Sequence, residues 1–558
     1  MSQKRVFVLL LCLSLSVLYG VAAVAQKTVS GKVTDSRGGA LPGVGVLIKG
    51  NPSIGTVTDE SGTYSLEAPS GSTLVFSSIG FKTVSIALGT QSVINVILQE
   101  DIKLLEDVVV IGYGVQKKVN LSGSVSSVEI DKLSRTRPIT NLSAGLAGLA
   151  PGLYVRASNN DPGSSATLLI RGQGTLNNSS PLIIIDGVEG DISRLSPHDV
   201  ASISVLKDAA SSAIYGSRAA NGVILITTKQ GKEGKVTVTY DGYYALQSVG
   251  RLMPIVSNSV RYMELVNEAA NNSKLAPVYS EENIQLWRDH EGEDPVLWPN
   301  TDWGKALFRS AGVMNHDISA SGGSDKLRSF LSFNYAGTPG IIVNTGYRRY
   351  SIRSNNSLSV TSRLKLGMNL SGTLTDKERG SSNLSNMFVN SILCVPTVVV
   401  KSPDGRYGGT NNPEDNPVAT SPLRYMNSVK GEDKAQTFNG RLWFDFSPVD
   451  GLNVNGSYTY FFYTKKQTTI PVPIDTWNFQ TNQILSLGSS GQSFVKNQED
   501  RAFRNFMDMT ATYEKRILPD FYFKVMIGGS QEQFAAENFY GQKMDLIDPE
   551  LTQIDAAT

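Results

Sequence analysis

The chain is poor in the residues that most catalytic sites use. Its 558 residues include three histidines and two cysteines. His198, His290 and His316 are too scattered for a zinc site or a nucleophile-base pair. His290 and Glu293 do form an H-x-x-E spacing of the kind some metallocarboxypeptidases use, but it lies in the polar stretch WRDHEGEDPV, which reads as a loop without strand or helix flanks. Calcium, phosphate and catalytic-serine signatures are also missing, so the reading is of a non-enzyme with no metal and no cofactor. Charge is scarce and balanced: 18% of residues are charged, and 51 Lys plus Arg against 50 Asp plus Glu leave a net charge of +1. No basic block could neutralise a phosphate backbone, which excludes nucleic acid as a partner. Beyond the N-terminus, no apolar run reaches the roughly 20 residues of a membrane helix.

The N-terminus reads as a secretory signal over residues 1–25: Lys4 and Arg5, an apolar run from Val6 to Val21, and the small-residue site Ala23, Val24, Ala25 before Gln26. The alternative is an uncleaved anchor. Cys12 should leave with the signal, and Cys394 then stands alone, so no intrachain disulfide is possible. An exported chain without another apolar helix is either soluble or a membrane β-barrel.

Glycine is plentiful, at 52 residues, and the aromatic residues are unevenly placed. Residues 1–230 hold 8 of the 46, and residues 231–558 hold 38, including all five tryptophans. Tyr and Trp collect where an apolar body and a polar tip are both satisfied, as at a membrane interface.

Residues 26–98 alternate short apolar strands (Val29 to Val33, Val44 to Ile48, Thr63 to Glu67, Leu74 to Ser77, Val93 to Leu98) with Gly, Asp and Pro turns, the pattern of a small β-sandwich. The stretches VTDSRGGALPGVGVLIKG, GTVTDESGTYSL and SSIGF resemble the carboxypeptidase-regulatory-like domain. That resemblance implies a non-catalytic module, either a spacer or a docking unit. A linker over residues 99–118 contains LEDVVVIGYG. Its Val108, Val109, Val110 and Ile111 should form a free strand able to add to a partner's sheet, or else the last strand of a neighbouring domain. Residues 119–234 read as a compact α+β domain with strands at Leu168 to Arg171, Leu182 to Ile185, Ile203 to Leu206 and Val223 to Thr228, and a helix at Asp208 to Tyr215. Gly172, Gly174 and Gly187 belong to its turns.

Here the segments LLIRGQGTLNNSSPLIIIDGVEGD (Leu168 to Asp191) and SVLKDAASSAIYGSRAANGVILITTKQG (Ser204 to Gly231) closely resemble the plug domain of the SusC/RagA family of TonB-dependent outer-membrane transporters. PNTDWGKALF and NHDISASGGSDK look like that family's first barrel region.

Residues 235–558 carry a period-two signal of their own. In RLKLGMNLSGTL, Leu364, Leu366, Met368 and Leu370 share one face, opposite Lys365, Asn369 and Ser371. In LNVNGSYTYFFY, Leu452, Val454, Tyr458, Tyr460 and Phe462 lie opposite Asn453, Asn455, Ser457 and Thr459. Tyr458 to Tyr463 read as a lipid-facing girdle near a strand end. Nine strands are expected, at 235–246, 314–322, 327–337, 347–358, 363–375, 437–447, 452–464, 504–514 and 521–531, joined by alternating short and long connections. That asymmetry is the one outer-membrane barrels show, with tight turns in the periplasm and long loops outside.

The fold class is therefore mostly β: a sandwich, an α+β plug, and the first nine or so strands of a transmembrane antiparallel barrel. Nine strands do not close an even-numbered barrel, and the resembled family's barrel has 22, so the sequence is expected to be incomplete. The resemblance implies import across the outer membrane, with TonB gripping Val108 to Ile111, a SusD-like surface lipoprotein closing the outer mouth, and an oligosaccharide or peptide as ligand. Trp287, Trp298 and Trp303 could stack on sugar rings or be buried in a folded loop. The competing functions are a metal-chelate receptor without a lipoprotein lid and a non-transporting adhesin or sensor.

Overall fold

The computed structural model describes residues 26–545 except 36–37, 50, 70, 79–80, 90, 100–107, 112–113, 118–124, 129, 131–137, 158–160, 209–211, 253, 380–383, 487–492 and 519–520. The signal expected over residues 1–25 and much of the linker lie outside the described residues. The chain divides into two units, Met1–Val109 with Gln116–Asn120, and Val110–Val115 with Leu121–Thr558.

The first unit contains the sandwich. One sheet has the order β4-β1-β7, with β1 (Gln26–Asp35), β4 (Thr63–Pro69) and β7 (Val96–Leu98). The other has the order β3-β2-β5-β6, with β2 (Gly45–Ile48), β3 (Asn51–Val57), β5 (Thr73–Ser77) and β6 (Val84–Ala87). Alternation builds the core: on β4, Tyr64, Leu66 and Ala68 point inward against Val33, Val46, Leu74 and Phe76, while Thr63, Ser65 and Glu67 face water. The turn before β4 is tied by Asp59, whose Oδ1 accepts from the Ser61 hydroxyl at 2.7 Å and from the Ser61 and Thr63 N–H groups at 2.9 and 2.8 Å. These bonds, the Ser61 hydroxyl first, hold its carboxyl below the ordinary value.

Val108–Ile111 (β8) pairs with Gly114–Lys117 (β9) in a two-stranded sheet. The segment expected as a free strand thus has a partner a few residues downstream, within reach of the shortest hairpin.

The second unit holds an α+β domain and a large antiparallel sheet. The domain's main sheet has the order β10-β15-β16-β13-β14, built from β10 (Val125–Val128), β13 (Leu182–Ile185), β14 (Val188–Glu189), β15 (Val200–Leu206) and β16 (Val223–Thr228). A side hairpin pairs β11 (Leu153–Ala157) with β12 (Ala166–Ile170). Ile130, Leu142, Leu146, Ile203, Ile224 and Ile226 fill its core. The helix expected at Asp208 to Tyr215 falls partly on 209–211, outside the described residues; a 3-10 segment follows at Ala213–Ala219, interrupted at Gly216 where φ is 64°, since a left-handed residue does not continue a right-handed helix.

The large sheet runs in chain order through β17 (Gly234–Gln247), β18 (Ala311–Gly323), β19 (Leu327–Pro339), β20 (Thr345–Thr361), β21 (Leu364–Arg379), β24 (Asp433–Val449), β25 (Leu452–Pro471), β28 (Phe494–Leu518) and β29 (Phe521–Met544). Each pairs antiparallel with the next. Among the described residues β17 and β29 end the sheet, so the wall is open. Small strands decorate the long connections: β22 (Tyr407–Gly408), β26 (Thr476–Asn478) and β27 (Gln483–Ser486) form one sheet, and β23 (Val429–Lys430) pairs with β25. Because β25 continues to Pro471, Tyr458 to Tyr463 lie mid-strand and not near its end. Backbone pairing to β24 and β28 carries the polar Thr464 to Thr469 onward without apolar side chains.

On this wall the usual rule of burial is reversed. Along β20, Arg349, Ser351, Arg353 and Asn355 are buried, whereas Tyr350, Ile352, Leu358 and Val360 are exposed. The neighbours agree, with Asn334, Asn369 and Thr459 buried and Phe333, Leu366 and Tyr458 exposed. Water selects the opposite arrangement.

The connection 248–310 is not a bare loop. It contains α1 (Ser259–Asn272), α2 (Glu281–Asp289) and α3 (Trp303–Leu307), capped by the side chains of Asn258, Ser280 and Asp302. His290 is the C-cap of α2, so the H-x-x-E spacing does have a helical flank. A further helix, α4, spans Leu384–Leu393.

Candidate functional site

The α+β domain is fastened to the buried polar face of the wall. Arg353 Nε lies 3.2 Å from Asp199 Oδ2, and Arg353 Nη1 lies 3.8 Å from Asp186 Oδ2. Ser332 donates to Asp199 Oδ1 at 2.5 Å. Asn355 donates to Thr228 Oγ1 at 2.9 Å and to the Lys229 carbonyl at 2.7 Å. Arg349, 1% exposed, donates to the carbonyls of Ser193 and Leu195 at 3.1 and 3.5 Å. Both carboxylates are placed by local structure. Asp199 closes the 3-10 turn Pro197–Asp199, capped by Ser196. Asp186 and Gly187, with φ of 49° and 90°, form the two-residue reversal between β13 and β14, and such mirror-image turns favour Asp-Gly. Asp186 also accepts from the Thr228 N–H at 2.9 Å and hydroxyl at 2.7 Å.

A second contact set joins Glu189 and Arg218 of the domain to Arg504 and Glu532 of the wall at 3.0 to 3.5 Å. Arg194 lies 4.2 Å above the Tyr463 ring, and Lys377 pairs with Asp161. Partly exposed pairs contribute little each. The buried Arg353 cluster is the contact that fixes the seat, because an uncompensated charge there would be costly.

At the long-connection end, residues 410–415 draw three connections together. Tyr279 donates to Asp415 Oδ1 at 2.7 Å, and Thr397 and Thr410 donate to Oδ2. That carboxylate and its burial push the Tyr279 hydroxyl above its ordinary range, burial most of all. Asn411 donates to the Val296 and Leu297 carbonyls at 2.6 and 3.0 Å and accepts from the Phe479 N–H at 2.8 Å. Asn283 reaches Asn412 Oδ1 at 2.8 Å and Glu414 Oε2 at 2.7 Å.

The tryptophans singled out by sequence fall in this region. Trp287 and Trp303, 3% and 2% exposed, are buried in two apolar clusters, so neither ring presents a face for stacking. Trp303 also donates to the Val395 carbonyl at 3.0 Å. Trp298 is half-buried, edge-on to Trp287 and stacked on His290 at 4.4 Å. His290 Nδ1 meets Glu293 Oε2 at 2.9 Å, a local pair. Among the described residues no three His, Cys, Asp or Glu side chains are grouped to hold a metal. Val108–Ile111 is the strand paired with β9.

Sequence reading missed the fastening residues. The signal was present in YSIRSNNSLSV, where Arg349 (one step before), Ser351, Arg353 and Asn355 recur with period two, but it names no partners.

Residues 117–223 match the TonB-dependent Receptor Plug Domain family, and residues 29–110 match the CarboxypepD_reg-like domain family. The chain is 30% identical to TonB-dependent receptor P26 of Formosa agariphila, covering 93% of this chain and 50% of that protein. It is also 30% identical to TonB-dependent receptor SusC of Bacteroides thetaiotaomicron, covering 96% of this chain and 53% of that protein. It thus spans about half the length of these curated relatives. Among solved structures, the RagAB peptide importer in its open-open state superposes with a TM-score of 0.65 at 22% identity, over 81% of this chain and 52% of that one. That likeness is one of fold.

Proposed function

Since the chain belongs, over the part it spans, to the SusC/RagA family of TonB-dependent receptors, we propose that it takes part in energy-coupled import of a nutrient, an oligosaccharide or a peptide, across the outer membrane. The observation that carries this reading is the reversed wall. Exposed Ile352 and Phe333 suit hydrocarbon, and buried Arg349, Arg353 and Asn355 suit a lumen filled by a polar-edged plug. In this reading the short turns face the periplasm and the long connections face outward. Hydrocarbon tolerates no open sheet edge, so the free edges of β17 and β29 are where the remaining strands of a closed wall would add.

The outer membrane holds no ATP, so work must arrive mechanically from the inner membrane. Val108–Ile111 is our candidate for the segment TonB grips: a two-stranded ribbon leaves an edge for a third strand, and main-chain hydrogen bonds supply the attachment. The outward connections, stitched at Asp415, would form the rim on which a SusD-like lipoprotein closes. Deleting Leu105 to Gly114 from the full-length receptor should abolish uptake and leave ligand binding intact. Unchanged uptake, or recovery of the receptor in the soluble periplasmic fraction, would reject the reading.

A further inference from the structure

Below the Asp186–Gly187 turn, towards the short-turn end, the lumen face carries groups that the plug contacts do not use. A cavity of about 610 Å³ lies between that turn and strands β21, β24, β25 and β28, within the roughly 300 to 1,000 Å³ of small-molecule pockets. Register places Trp443 beside Ser457, and Ser457 beside Asp508; Asp445 faces Asn455 in the adjoining row. Only a few residues separate this row from the reversal between Val449 and Leu452.

The indole of Trp443 covers Gly367, where a Cβ would come within 2.0 Å of its Cε2, and its Nε1 donates to Asn369 Oδ1 at 3.2 Å. One side of the ring rests on the glycine backbone, and the residue lines the cavity. Asp445 accepts from Asn453 at 2.7 Å and Asp508 accepts from Ser457, but neither has a cationic partner among the described residues. Arg441 holds the plug turn through the Asp186 carbonyl, while its buried Nε has no acceptor.

These groups select a ligand by elimination. Arg328 and Arg441 line the cavity together with Asp186, Asp445 and Asp508, so an ion of either sign would meet like charge there. A neutral hydroxyl both donates and accepts, and the apolar face of a sugar ring suits an indole. We infer that this cavity is a transit site for one ring of a neutral oligosaccharide, occupied beneath the plug on the way to the periplasm. It rests on the import reading and narrows its substrate class to saccharides. Trp443 is its platform, and Arg441 is both plug holder and ligand donor.

The test uses the full-length receptor in cells with and without TonB, offered neutral α-glucan, β-glucan, xylan and mannan oligosaccharides and, separately, an uncharged hexapeptide. Trp443→Ala and Gly367→Val, which displaces the indole without removing it, should each lower the maximal rate of oligosaccharide uptake at least fivefold. Affinity at the cell surface and receptor abundance in the outer membrane should stay unchanged, and Trp443→Phe should restore most of the rate. Wild-type rates in both variants would overturn the transit site. Uptake of the hexapeptide alone, or of no oligosaccharide, would overturn the saccharide assignment, whereas oligosaccharide uptake that does not need TonB would sink the import reading itself.

Discussion

Ile352 and Arg353 are neighbours on β20 with inverted environments: the isoleucine is 53% exposed and the arginine 8%. Successive strand residues point to opposite faces, so one peptide bond separates an exposed apolar face from a covered polar one.

The outward side of that pair gives the first prediction. Ile352→Arg should destabilise the membrane-inserted receptor by about 2 to 4 kcal/mol, the penalty for a cation on the lipid face near midplane. The measurement is the heat at which the folded receptor loses its compact migration in an unheated gel. An equal midpoint for wild type and variant would argue that Ile352 faces water.

The inward side gives the second. Asp199→Ala leaves Arg353 buried with only Asp186 at 3.8 Å, and removing one member of a buried pair costs about 3 to 5 kcal/mol. The domain should loosen from the wall, read as faster limited proteolysis within residues 119–234. The double variant Asp199→Leu with Arg353→Met should recover part of that loss, because it removes the uncompensated guanidinium while Asp186 keeps its bonds from Thr228 but loses its ion-pair partner.

Asp415 supports the third. Its removal in Asp415→Ala takes the acceptor from the buried hydroxyls of Tyr279 and Thr397, at roughly 1 to 3 kcal/mol for each unmet buried group, while Thr410 keeps the Asn412 carbonyl at 3.3 Å. Hydrogen exchange should quicken in 248–310 and 380–432 and stay unchanged in the sandwich.

Cys394 offers a pH test. Its half-buried thiol lies 3.7 Å from the Thr420 carbonyl, and burial pushes it up to about 12. An unfolded thiol ionises near roughly 8.5, so the folded state keeps the proton longer. The stabilisation is complete below that lower value and is lost as pH climbs from there towards 12. Alkylation at pH 8 should be slow in the native receptor and become rapid on adding denaturant.

The β-sandwich, the α+β domain and the wall were legible because period-two alternation and turn residues are local. The helices of 248–310 were missed although Asn258, Ser280 and Asp302 are good caps, since α2 is short and polar and its buried apolar residues, Ile284 and Trp287, mark only a narrow stripe.

The sequence by itself determined that each wall strand has one polar and one apolar face, because side-chain direction alternates residue by residue along any extended chain. Only the tertiary structure decided which face is covered and by what. Arg353 finds Asp199 from 154 positions away and Asn355 finds Thr228 from 127, and such pairings depend on how the sheet curves around its contents, a property of the assembled fold and of no single segment.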